Sequence, residues 1–281
     1  MPTLQTARSF LFVPGSEERK LVRALESDAD AVVVDLEDAV APGEKGAARA
    51  LTARMVGEVE TSAIRLVRVN AVGTEWHDAD VAAVEASGAD GIVLPKATAA
   101  AATAVGDRID LPVVAIVETA AGLRDAFAIA SHASVGVLML GAVDLGLELG
   151  LEPREDALEI LFARSSLVVD SAAAGIRAPV DRAWVDVRDL AGLARDCAVA
   201  RSLGFRAKAL VHPDQIAPTH AAFAPSNEEL RRAREIVAAY ERAAADGRGV
   251  VALDGEMIDA PVVERARELL SDEKRSVLHA E

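Results

Sequence analysis

Residues 31–40 read AVVVDLEDAV, and this stretch decides how the chain is read. Three consecutive valines, Val32, Val33 and Val34, favour an extended strand that is apolar on both faces. A strand of that kind belongs to a parallel sheet with both faces covered. It ends in Asp35, and Glu37 and Asp38 follow at once. Carboxylates at a strand's C-terminal end sit where parallel α/β proteins bind their ligands.

The same pattern repeats along the chain. Strands are predicted over 9–13, 31–35, 65–69, 91–94, 113–117, 136–140, about 178–180, and 208–211. Segments with helical apolar spacing lie between them, for example 17–26, 44–56, 78–86 and 188–203. Eight such βα units imply a (β/α)8 TIM barrel, an α/β fold. A doubly wound open sheet is the alternative, weakened because no GxGxxG follows any strand. Residues 1–222 are assigned to the barrel and 223–281 to a C-terminal helical extension. The extension has predicted helices over 228–245 and 262–270, separated by DGRGVVALDGEMIDAP, which is rich in Gly and Asp. It serves as a lid, an oligomer contact, or both.

Composition narrows the function. Apolar residues are 51% of the 281, enough for a sizeable core, and aromatics only 3%, so Ala, Val and Leu must fill it. The single cysteine, Cys197, excludes an internal disulfide and reads as a buried small hydrophobe. A reducing cytoplasm is the expected compartment. SFLFVPG, residues 9–15, is too short for a signal-peptide core, and no apolar run is long enough to span a membrane. The formal net charge of -15 argues against nucleic acid or an anionic membrane as partner. An anionic ligand would need a local cluster of Arg and Lys.

Polar residues gather at the predicted C-terminal strand ends. Asp35, Glu37 and Asp38 follow the second strand; Arg68 and Asn70 belong to the third; Pro95 and Lys96 end the fourth. Glu118 ends the fifth, Asp144 follows the sixth, Asp181 the seventh and His212 the eighth. Each has a structural alternative. Asp38, Asp144 and Asp181 could cap helices, Arg68 could be a buried ion-pair partner, Lys96 a solvated loop residue, and His212 a structural residue before Pro213. Capping, however, does not account for an Arg and a Glu inside β-runs. Glu118 and Asp144, from neighbouring strands, suit Mg2+, which keeps waters and takes few protein ligands. No His cluster or CxxC suggests zinc, and there is no P-loop, GxSxG or HExxH.

Eight motifs then occur in order: RSFLFVPGSEERKLVRAL, DAVVVDLEDAVAPGEKGAAR, RVNAVGTEW, VLPKA, ETAAG, GAVDLGLELG, LGFRAKALVHPDQI and DGEMIDAPVVERA. Together, from Arg8 to about Ala266, the chain resembles the citrate lyase β-subunit-like family of the HpcH/HpaI aldolase superfamily, relatives of malyl-CoA and citramalyl-CoA lyases. The resemblance implies a TIM barrel, Mg2+, a CoA-thioester substrate with a small 2-oxo acid, and a homotrimer or hexamer whose C-terminal segment enters a neighbour's site. It implies Glu118 and Asp144 as metal ligands, Arg68 facing the reacting carbonyl, and Asp259 as acid/base donated by the adjacent subunit. It also implies Arg19 and Arg23 as contacts to CoA phosphates. Asp35 and Glu37 are expected to orient Arg68, metal-bound waters or Lys96, with Asp38 a cap or surface residue. Two departures stand out: Val143 where the family often has Glu before the metal Asp, a position expected behind the ligands, and Ala207 in place of the Gly of GFxGK. The reaction implied is carbon–carbon cleavage of malyl-, citramalyl- or citryl-CoA. Hydrolysis of the same thioesters, a citrate lyase subunit acting on a carrier-protein thioester, and an aldolase on free 2-oxo acids are the alternatives.

Overall fold

The computed structural model describes residues 2–277. They form two compact units, one ending at Phe223 and the other starting at Ala224. In the first, eight parallel strands close into a barrel in sequence order: β1 (Ser9–Pro14), β2 (Ala31–Asp35), β3 (Ile64–Arg68), β4 (Gly91–Leu94), β5 (Val113–Val117), β6 (Val135–Leu140), β7 (Val180–Asp181) and β8 (Ala207–Leu210). β8 returns to β1 through Ser9 opposite Lys208, so no sheet edge is left open. The open-sheet alternative is therefore excluded.

Alternation along each strand divides the core in two. Phe10, Val33, Val93, Val114, Val137, Met139 and Ala209 point into the barrel and pack on one another. Val32, Val34, Leu94, Val117, Leu138 and Leu140 point outward, into a larger cluster with helix residues such as Leu21, Val56, Ala102 and Leu167. Side chains at the C-terminal ends continue the inward set: Asp35 two residues beyond Val33, Arg68 two beyond Leu66, Glu118 two beyond Ile116.

The same alternation corrects the reading of Asp181. Val180 faces in, so Asp181 faces out, away from the barrel mouth. It is fully buried against the helix layer, where Arg164 donates to it at 2.9 and 2.8 Å and Lys208 at 2.6 Å. Asp196, on the helix Leu190–Leu203, accepts from Arg164 and Lys208 as well. Each carboxylate is flanked by cations, and despite burial Asp196 is held well below the usual carboxylate range by Lys208 and Arg164. Cys197 lies beside it, fully buried, and burial pushes its thiol up to about 11.

The second unit holds the helices Asn227–Ala245 and Ala260–Val277. The Gly- and Asp-rich segment between them is a hairpin, β9 (Val251–Leu253) antiparallel to β10 (Glu256–Ile258). Its tight turn is Asp254–Gly255, both at positive φ, the conformation a two-residue hairpin turn demands. Ser226 and Glu229 form a capping box on the first helix. Asp259 sits at the start of the second, its Oδ1 accepting from the Val262 N–H at 3.4 Å. No helix among the described residues is long and apolar enough to cross a membrane.

Candidate active site

A cavity of about 1200 Å³ opens at the C-terminal ends of the barrel strands. Asp35, Asp38, Arg68, Glu118 and Asp144 line it, together with Lys20, Arg23, Arg182 and His212. Its floor is apolar, built from the inward residues Phe12, Ile116, Met139 and Ala209.

One wall is a charge clamp. Arg68 Nε donates to Asp35 Oδ1 at 2.7 Å and Nη2 to Asp35 Oδ2 at 2.6 Å, a bidentate fork between adjacent strands. The register makes it possible, because Asp35 and Arg68 are direct partners in the β2–β3 ladder. Arg68 Nη1 lies 3.0 Å from Glu37 Oε2 and 3.7 Å from Asp38, which is 60% exposed. Burial opposes the charge on Arg68, but the bonds to Asp35 outweigh it and keep the guanidinium protonated. Its face lies 5.4 Å from the Phe12 ring centroid. The loop carrying Glu37 is fixed from behind: buried Lys45 donates from Nζ to the carbonyls of Leu36 and Glu37, and Asn70 also donates to Leu36.

Lys96 links this wall to the next. Its Nζ donates to Glu37 Oε1 at 2.6 Å, and its backbone N–H to Glu118 Oε1 at 2.7 Å. Both are reached because Lys96 adopts φ 47, the left-handed region that a non-glycine residue enters only when its surroundings hold it there. Lys96 is thus an exposed residue whose ammonium and backbone N–H are both tied to carboxylates.

Glu118 is 4% exposed. Burial, then the charges of Glu37 and Asp144, outweigh the Lys96 N–H and push its carboxyl up to about 7. Gly141 makes room for it: a Cβ there would meet Glu118 Oε2 at 2.6 Å. Half-buried Asp144 lies in the first turn of the helix Ala142–Leu149, one strand along. Val143 is 67% exposed and lines the cavity, so it is a rim residue and not one packed behind Asp144.

This placement has a measurable consequence for stability. The folded chain binds an extra proton at Glu118 between pH 4.5 and about 7, so ionising it as pH rises through that window costs up to about 3 kcal/mol. Gln keeps the oxygen that accepts from Lys96 and carries no charge. In chelator, Glu118→Gln should therefore melt higher than the wild-type chain at pH 8, with the difference gone near pH 4.5. Equal melting temperatures at pH 8 would contradict the buried, like-charged setting.

The phosphate contacts expected on the helix Glu18–Leu25 divide. Arg23 and Lys20 line the cavity, whereas Arg19 is exposed on the same helix but does not. His212 caps the turn Pro213–Gln215, accepting from the Asp214 N–H, and its backbone N–H bonds the Gln215 side chain. Arg182, which follows β7 and is not among the residues that stand out in the sequence, also lines the cavity. The signal that would place it, two-residue alternation from Val180, cannot be read from a strand only two residues long.

The family described as HpcH/HpaI aldolase/citrate lyase matches residues 8–213. A protein of Cereibacter sphaeroides named (3S)-malyl-CoA thioesterase is 38% identical over 267 residues, which cover 94% of this chain and 93% of that one. Citrate lyase subunit beta of Escherichia coli (strain K12) is 37% identical, over 99% of this chain and 96% of its own. Among solved structures, protein CitE from Mycobacterium tuberculosis in complex with magnesium, acetoacetate and coenzyme A superposes with a TM-score of 0.83. It is 31% identical and covers 96% of this chain and 99% of its own.

Proposed function

The chain belongs to the HpcH/HpaI aldolase/citrate lyase family, an enzyme family of carbon–carbon lyases, and from that premise we propose that it is a Mg2+-dependent lyase of 3-hydroxyacyl-CoA thioesters such as malyl-, citramalyl- or citryl-CoA. The observation that carries this is the pairing of a buried, proton-retaining carboxylate, Glu118, with Asp144 in the cavity that the Arg68 clamp also lines, the two walls joined by Lys96. The two carboxylates fit Mg2+: they are hard oxygen donors, Glu118 is destabilised as an anion without a cation, and two ligands leave room for waters and substrate oxygens. When bound there, Mg2+ supplies Lewis acidity and a template for the hydroxy-acid end of the substrate.

The chain's own groups do the rest. Cleaving the bond β to the thioester carbonyl turns the thioester oxygen into an enolate oxygen. Arg68 has five N–H groups; Nε and one hydrogen of Nη2 are bonded to Asp35, and Nη1 is ion-paired with Glu37 Oε2 at 3.0 Å without a hydrogen bond. Its remaining N–H groups, fixed in direction by Asp35 and Glu37, can meet that oxygen by charge-assisted hydrogen bonds without reorganising. A base must take the proton of the substrate hydroxyl, and Asp259 of a second copy is assigned to it in a homotrimer or hexamer. The apolar floor lowers the local dielectric and strengthens both interactions.

CoA phosphates are assigned to Arg23, aided by Lys20, at the rim. Arg23→Ala should raise KM for the CoA ester several-fold with kcat little changed, and Arg19→Ala should do neither. An unaltered KM for Arg23→Ala at two salt concentrations would contradict the assignment.

The relative named as a thioesterase supports a second reading, in which the base activates water and the same site hydrolyses the thioester. Malyl-, citramalyl- and citryl-CoA with Mg2+, followed for free thiol and for 2-oxo acid, separate the two. A lyase releases 2-oxo acid and leaves the product thioester intact, whereas thiol without oxo acid means hydrolysis.

A further inference from the structure

Behind β7 and β8 the buried charges do not balance. Arg164, Arg182 and Lys208, three cations, share only the carboxylates Asp181 and Asp196. The Arg164 and Lys208 side chains are 1% and 0% exposed, sealed between barrel and helices. Arg182 is the third cation, and it alone lines the cavity. Its hold on Asp196 is also the loosest, 3.1 Å from Nη2 and 3.4 Å from Nε, against 2.6 and 2.8 Å for Lys208 and Arg164. Its Nη1 has no hydrogen-bond partner among the described residues. The Trp184 ring lies 5.7 Å from Cζ and, with Asp196, keeps the group in place. The excess positive charge of the network is thus fixed in direction and faces the cavity, where an anion of the substrate would balance it.

Two anions on a CoA thioester could supply it, a phosphate or a carboxylate. The phosphates have Lys20 and Arg23, exposed on a helix that follows β1. Arg182 instead follows β7, whose Val180 pairs with Met139 of β6, the strand that leads to Asp144. It therefore stands one strand along from the acid end of the site, and a rigid, planar guanidinium suits a carboxylate's two oxygens. We infer that Arg182 is a specificity-determining residue that holds a second carboxylate on the acid part of the substrate, so that the enzyme prefers thioesters releasing a 2-oxo dicarboxylic acid. This rests on the reading of Glu118 and Asp144 as the Mg2+ site of a CoA-thioester enzyme.

Calorimetric titration of the full chain with saturating Mg2+ tests it, using freshly prepared oxaloacetate, pyruvate and CoA as separate probes. Wild-type protein should bind oxaloacetate at least ~10-fold more tightly than pyruvate. Arg182→Gln should erase that preference while pyruvate and CoA affinities stay within about twofold, and Arg182→Lys should restore part of it. A preference that survives in Arg182→Gln overturns the inference, as does a loss confined to CoA, which would mark a phosphate site. So does an equal loss of both acids in both variants. In each of those cases pyruvate binding by the wild-type chain leaves the Mg2+ site reading intact. If neither acid binds the wild-type chain, that reading fails and takes the inference with it.

Discussion

Arg68→Ala should lower kcat by about 10³-fold while leaving KM for the CoA ester nearly unchanged, because the enolate oxygen loses its charged donor and the rim contacts to CoA do not. Arg68→Lys should recover little. A lysine retains the charge but offers a single point, whereas the wild-type group is held by Asp35 along one edge and by Glu37 at Nη1 and still has N–H groups left for the substrate. The alanine variant also strands Asp35, whose remaining partners are the backbone N–H groups of Glu37 and Ala39, so some loss of stability accompanies the loss of rate. Thermal melting beside steady-state kinetics separates the two. A folded Arg68→Ala enzyme retaining more than about a tenth of wild-type kcat would remove Arg68 from the reaction.

The second large effect concerns Asp259. Asp259→Ala alone should be inactive, as should Arg68→Ala, yet mixing and reassembling the two should restore activity. If one copy supplies the clamp and its neighbour the base, random exchange leaves about a quarter of the sites with both groups sound. The cap that Asp259 makes to Val262 is long, at 3.4 Å, and removing it costs little stability, so inactivity of the single variant would report chemistry. Confirmed subunit exchange with no return of activity would confine Asp259 to its own chain or to helix capping.

Much of this was legible in the sequence for one reason: a parallel barrel strand is a nearly continuous apolar run, so a charged residue at its end stands out. Asp35, Arg68 and Glu118 were visible in that way, and Asp144 as the carboxylate after the β6 turn. What sequence could not supply was direction. A one-residue step at β7 turns Asp181 to the helix layer and brings Arg182 to the cavity, and the two-residue strand is too short for its alternation to be read. Lys208 hid inside an apolar strand, and its partners Arg164 and Asp196 lie on helices that sequence alone does not bring together. The hairpin of the second unit was read only as a Gly- and Asp-rich stretch, because three-residue strands carry too little pattern. The left-handed turn at Lys96 had no signal at all, since glycine or asparagine is what normally announces one.

The most direct test is a Mg2+ titration by calorimetry at pH 6.5 in two buffers of different ionisation enthalpy. The wild-type chain should take up about one Mg2+ and release a proton as it does so, because Glu118, held up to about 7, must ionise to bind the cation. Asp144→Asn should weaken the uptake, and Glu118→Gln should abolish both the uptake and the buffer dependence while the chain stays folded. An unchanged Mg2+ affinity in Glu118→Gln would contradict the account.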